Sequence, residues 1–153
     1  MSDKIVESIA RARSYHSGYR EPEKKFVIAV DLDGTLAKYN EWNGINVIGE
    51  PNKECVKLLN QLEKEGWYII INTCRLNGSW ENIDYDSAFN TLSKWLRNHS
   101  IPYDKIATKL DGKVVADIYL DDRAVNFSKN VDHDFYSQVL YYAIMNVIGD
   151  KNE

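Results

Sequence analysis

Phe26-Val27-Ile28-Ala29-Val30-Asp31-Leu32-Asp33-Gly34-Thr35-Leu36 decides the fold. Five consecutive apolar residues, two of them valine and one isoleucine, describe a strand buried on both faces, as in a parallel sheet. The run ends on two carboxylates one residue apart, followed by a glycine. Alone, Asp-x-Asp-Gly is a turn as readily as a site, because Asp and Gly both favour turns. A buried strand directly before it and Thr35-Leu36 after it favour a site at a strand end.

Downstream the same rhythm repeats. Pro51 to Glu65 reads as a helix, with Pro51 near its first turn and Gly66 at its stop. Val56, Leu59, Leu62 and Glu63 share one face, with Leu58 beside them. Trp67 to Ile71 is a second buried strand. Asp84 to His99 is a second helix, carrying Phe89, Leu92, Trp95 and Leu96 at helical spacing, and Pro102 breaks the chain after it. A short strand is expected around Lys105 to Thr108 and a clearer one over Asp117 to Leu120. Asp134 to Val147 places Phe135, Val139, Tyr142 and Met145 or Asn146 in helical register. Strand and helix in alternation predict an α/β domain with a parallel sheet covered by helices on both faces, over residues 26–150. Residues 1–25 differ: Lys4 to Arg13 has helical spacing, and Ser14 to Lys25 reads as a connector, so this segment is expected to be an appendage.

The chain has 153 residues, 44% of them hydrophobic, and a formal net charge of −4, values of a single soluble domain. The acidic balance disfavours non-specific nucleic-acid binding without excluding a local phosphate pocket. Two cysteines, Cys55 and Cys74, make no disulfide framework. Neither a signal peptide nor a membrane-length apolar stretch is legible, so a cytoplasmic location is expected by elimination.

In parallel α/β sheets, ligands gather beyond the carboxyl ends of the strands. There the sequence places Asp31 and Asp33 after the first strand, Asn72-Thr73-Cys74-Arg75 after the second, and Asp121-Asp122-Arg123 after the last, with Lys113 before it. Crowded carboxylates repel, and the usual resolution is a bound hard cation such as Mg²⁺, which also takes substrate phosphate oxygens. Two carboxylates can then divide nucleophilic and proton-transfer roles. Each piece has a plainer reading: Thr73 a helix cap, Asp121-Asp122 a solvated pair, Lys113 a residue of a turn at Gly112.

The motifs Asp31-Leu32-Asp33-Gly34-Thr35-Leu36, Thr73 after Ile69-Ile70-Ile71-Asn72, and Asp121-Asp122 after Ile118-Tyr119-Leu120 together resemble the haloacid dehalogenase-like (HAD) phosphatase superfamily. The stretch from Ala116 to Ala124 is similar to its small bacterial and phage-borne hydrolases. The resemblance spans about Phe26 to Phe127 and implies a three-layer, Rossmann-like sandwich. It also implies Asp31 as nucleophile, Asp33 as acid/base, and Gly34, Thr73 and Lys113 on the phosphate, with Lys109 the alternative lysine. Mg²⁺ would sit on Asp31, the Asp33 backbone carbonyl and the pair Asp121 and Asp122. An acid/base at Asp33 favours phosphate chemistry over dehalogenation.

Only Ala37 to Glu50 and Leu76 to Ile83 are available for a cap, and neither can hold a folded one. The expected site is therefore open, with Trp42, Trp80 and Arg75 as substrate contacts, the two tryptophans readable equally as exposed packing residues and Arg75 as a partner of a neighbouring carboxylate. The expected substrate is a phosphorylated small molecule or nucleotide. The alternatives are a phosphorylated macromolecule, such as a polynucleotide end or a protein, and a non-catalytic phosphate-binding module. Oligomeric state stays open, since a neighbouring subunit sometimes completes a capless site.

Overall fold

The computed structural model describes residues 26–126 and 135–148; the expected helix over Lys4 to Arg13 lies outside them. Four strands, β1 (Val27–Val30), β2 (Tyr68–Ile71), β3 (Lys105–Ile106) and β4 (Ile118–Leu120), form one sheet in the order β3-β2-β1-β4. Every pairing is parallel, with Val27 opposite Tyr68 and Ile28 opposite Ile118. The chain thus has an α/β fold. All four residues of β1, the inner strand between β2 and β4, are buried, as its unbroken apolar run requires.

Helix α1 (Lys53–Lys64) starts two residues later than Pro51, because Asn52 caps it by accepting the Glu54 N–H at 3.2 Å. It stops before Gly66, whose φ of +82° lies in the left-handed region that glycine adopts without strain. Its buried residues are Cys55 and Leu59, one turn apart, while Leu58 and Glu63 are exposed. Helix α2 (Tyr85–Asn98) is capped by Asp84, which accepts the Ser87 N–H at 3.0 Å. Ala88, Leu92 and Leu96 form its buried stripe, and Phe89 turns outward.

Both helices pack with Ile28, Val30, Ile69, Ile71 and Ile106, that is, on one face of the sheet. The strand order explains this: β1 to β2 and β2 to β3 step in the same direction, so right-handed crossovers put both helices on the same side. Val27, Ala29 and Ile70 point to the opposite face and are buried with Ala107 and Val114. Helix α3 (Phe135–Ile148) forms where expected, but Val139, Tyr142 and Met145 are all exposed. Apolar residues occur all round this helix rather than in one stripe, so its register alone did not identify a buried face. Among the described residues, no helix is long and apolar enough to cross a membrane.

Candidate active site

Parallel pairing brings the ends of β1, β2 and β4 side by side. The Asp31 N–H donates to Leu120 O at 2.9 Å, and the Asn72 N–H donates to Val30 O at 2.8 Å. The loops carrying Asp31, Thr73 and Asp121-Asp122 therefore start at one rim. After β1 the chain turns tightly, with the Gly34 N–H on Ala37 O at 2.9 Å and the Ala37 N–H on Leu32 O at 2.7 Å. Leu32 and Leu36 point into the core, which leaves Asp31 and Asp33 on the opposite side of the turn. Gly34 has a φ of +87°, and a Cβ there would run into the Asp122 carboxylate. Glycine thus suits the backbone conformation, and any larger residue would displace the Asp122 carboxylate.

Carboxylate oxygens of Asp31, Asp121 and Asp122 lie within 4.8 Å of one another. Burial, and then repulsion from Asp121, Asp122 and Asp33, push the Asp31 carboxyl up to about 7. An all-oxygen donor set with excess negative charge has the chemistry that suits a hard divalent cation. Asp33 stands apart from this trio in its side-chain contacts. Its two oxygens accept from Arg75 Nε and Nη2, each at 2.7 Å.

Arg75 is buried, and it also donates to the carbonyls of Gly44, Ile45 and Val47 at 3.1, 2.7 and 2.8 Å. Of its two expected roles, substrate contact and partner of a carboxylate, the geometry displays the second. Thr73 is buried at the end of β2, where its hydroxyl accepts the Arg75 N–H at 3.2 Å and caps a 3₁₀ turn over Cys74–Leu76. That turn has no periodic signal in three residues. The cap leaves the Thr73 hydroxyl proton available to another acceptor.

A cavity of about 360 Å³ opens above these groups, lined by Asp31, Asp33, Tyr39, Trp42, Cys74, Trp80, Asp121 and Arg123. Trp42 and Trp80 come from the two separate loops and stack with centroids 4.7 Å apart and planes 3° from parallel. The Trp80 indole N–H donates to Cys74 O at 3.1 Å. Lys113 is exposed and Lys109 sits 4.5 Å over the Tyr85 ring; neither lines this cavity. Arg123 does, with Nε 3.8 Å from Asp122 Oδ2. Its place directly after Asp121-Asp122 was the sequence signal for it, whereas Tyr39 and Cys74 carried none. Partial burial, with Asp31 and Asp33 nearby, raises the Cys74 thiol and keeps it protonated, which makes it a poor nucleophile.

No protein family matches the chain, and no curated protein matches it. Among solved structures, it is similar to a protein from Vibrio cholerae, with 26% identity and a TM-score of 0.47 over 77% of this chain and 98% of that one. It is also similar to a conserved protein from Bacteroides thetaiotaomicron, with 21% identity and a TM-score of 0.47 over 84% of this chain and 98% of that one.

Proposed function

We propose that this chain is a Mg²⁺-dependent phosphohydrolase that cleaves a phosphate monoester, with Asp31 as the nucleophile. One observation carries the reading: Asp31, directly after the inner strand β1, lies within one carboxylate cluster with Asp121 and Asp122, while Asp33 faces the same cavity from outside the cluster. In this reading the domain is a capless, three-layer HAD-like sandwich, and the substrate is a phosphorylated small metabolite or nucleotide.

Asp31, Asp121 and Asp122, with the Asp33 backbone carbonyl, would hold Mg²⁺. Bound there, the ion supplies charge neutralisation for the nucleophile and the phosphoryl oxygens. Asp31 attacks phosphorus, forming an aspartyl-phosphate as the ester bond breaks. Asp33 gives its proton to the departing oxygen, then takes one from the water that hydrolyses the intermediate. Phosphate and alcohol leave, and both carboxylates return to their starting state. Thr73 and the Gly34 turn serve the phosphoryl oxygens, and Arg123, rather than Lys113, supplies the cation at the cavity wall.

The test is release of phosphate from a generic aryl phosphate with Mg²⁺, comparing wild type with Asp31→Asn. The expected result is metal-dependent turnover in wild type and its loss in the variant. Equal slow release from both, or activity that survives thorough chelation, would sink the reading. A panel of metabolite phosphates beside 3′- and 5′-phosphorylated oligonucleotides then identifies the substrate class.

A further inference from the structure

Arg75 is 3% exposed. A guanidinium has five N–H donors, and here all five have protein acceptors. Two go to Asp33, and three go to the carbonyls of Gly44, Ile45 and Val47. None is left to bind a substrate. The same side chain also lies against Trp42, with Cζ 4.7 Å from the ring centroid, and Trp42 stacks on Trp80.

The loop that Arg75 grips is fixed elsewhere as well. The Lys38 N–H donates to Glu50 O at 2.8 Å and closes its base. Trp95 Nε1 donates to Gly49 O at 3.1 Å, and Asn46 Nδ2 donates to Ser87 Oγ at 3.2 Å, tying it to α2. The Arg75 fork then joins this braced loop to one carboxylate of the site.

We propose that Arg75 is a positioning residue that sets the Asp33 carboxylate and the Trp42–Trp80 wall as one rigid unit over the reacting atoms. The part concerning Asp33 rests on the phosphohydrolase reading; the part concerning the wall does not. Each Asp33 oxygen accepts one Arg75 N–H and keeps a second lone pair, on which it can carry the proton it exchanges. The planar fork fixes the carboxylate in direction as well as place. A lysine would supply the charge without the fork.

Leaving groups separate positioning from general structural support. An alkoxide needs the Asp33 proton as the P–O bond breaks, whereas a nitrophenolate departs with little help. Displacing Asp33 should therefore penalise an alkyl phosphate far more than an aryl one, while a loosened fold should penalise both alike. The stacked indoles give a second readout, a circular-dichroism exciton couplet, assigned by its loss in Trp80→Ala.

The experiment uses the full chain with Mg²⁺, propyl phosphate and 4-nitrophenyl phosphate, and the variants Arg75→Lys and Arg75→Ala. In Arg75→Lys, kcat/KM for propyl phosphate should fall about 100-fold, the scale of a lost general acid, and that for 4-nitrophenyl phosphate by less than about fivefold. The couplet should weaken in Arg75→Lys and vanish in Arg75→Ala. If Arg75→Ala fails to fold, Arg75→Lys alone provides both readouts. Equal losses on the two esters, or a couplet of wild-type strength in either variant, overturn the proposal. If wild type hydrolyses neither ester, the phosphohydrolase reading fails with the Asp33 role that rests on it, and the couplet alone decides whether Arg75 holds the wall.

Discussion

The Thr35 hydroxyl oxygen accepts the backbone N–H of Asp122 at 3.0 Å, across 87 positions of sequence. Thr35 is buried, so this bond joins the β1 loop to the β4 loop at the point where their carboxylates meet. Thr35→Val keeps the shape and removes the acceptor. Leaving a half-buried N–H unsatisfied costs about 1–3 kcal/mol. Chemical denaturation should show that loss. Unchanged stability would mean that the two loops are held together by other contacts.

Gly34→Ala meets two penalties: a left-handed backbone, which costs an L-residue roughly 1–2 kcal/mol, and a Cβ directed into the Asp122 carboxylate. The variant should melt at lower temperature and lose most of the thermal shift that Mg²⁺ gives wild type. A Mg²⁺ shift of wild-type size would argue against Asp122 as a ligand.

The Asp31 carboxyl, raised from 3.8 to about 7, makes metal-free stability depend on pH in a direction opposite to that of a paired carboxylate. The folded state binds this proton more tightly than the unfolded chain. Stability from this group therefore falls as pH rises through the window between about 4 and 7, by at most about 1.4 kcal/mol per pH unit. Above that window it is flat. In chelator, wild type should melt lower at pH 8 than at pH 5, Asp31→Asn should lose that component, and Mg²⁺ should restore wild type at pH 8. A chelated protein whose melting temperature does not fall between pH 5 and pH 8 would contradict the burial and crowding of Asp31.

Asp111 behaves in the opposite sense. Its hydrogen bond from Lys105, together with the Thr108 N–H at 2.8 Å, holds its carboxyl below the ordinary range. This contribution is present above about pH 4, the unfolded value, and is lost as pH falls through the lower folded value. Asp111→Ala removes acceptors for both donors and should cost about 1 kcal/mol at pH 7. The difference from wild type should shrink in acid, as read from urea titrations at the two pH values.

The β1 run and the two crossover helices were legible because each rests on local chemistry. Five apolar residues must be buried, and Gly66 can end the helix before it, whereas the caps at Asn52 and Asp84 were read only from the structure. Asp31, Asp33 and Asp121-Asp122 were legible for a related reason: parallel strands put their carboxyl ends at one edge, so order along the chain predicts neighbourhood in space. The helical face of α1 was legible in Val56, Leu59 and Leu62, which pack on the core, but the reading missed Cys55, which is buried, and included Glu63, which is exposed.

The sequence by itself determined the strand–helix alternation, and with it the rim at which the carboxylates gather. Tertiary structure alone decided what each polar group does there. Arg75 could serve a substrate or a carboxylate, and its type does not distinguish them; five acceptors arriving from Asp33 and a distant loop do. Trp42 and Trp80 lie 38 positions apart in irregular segments, and no periodicity relates them. Only the folding of both loops over the ends of the strands brings their rings face to face.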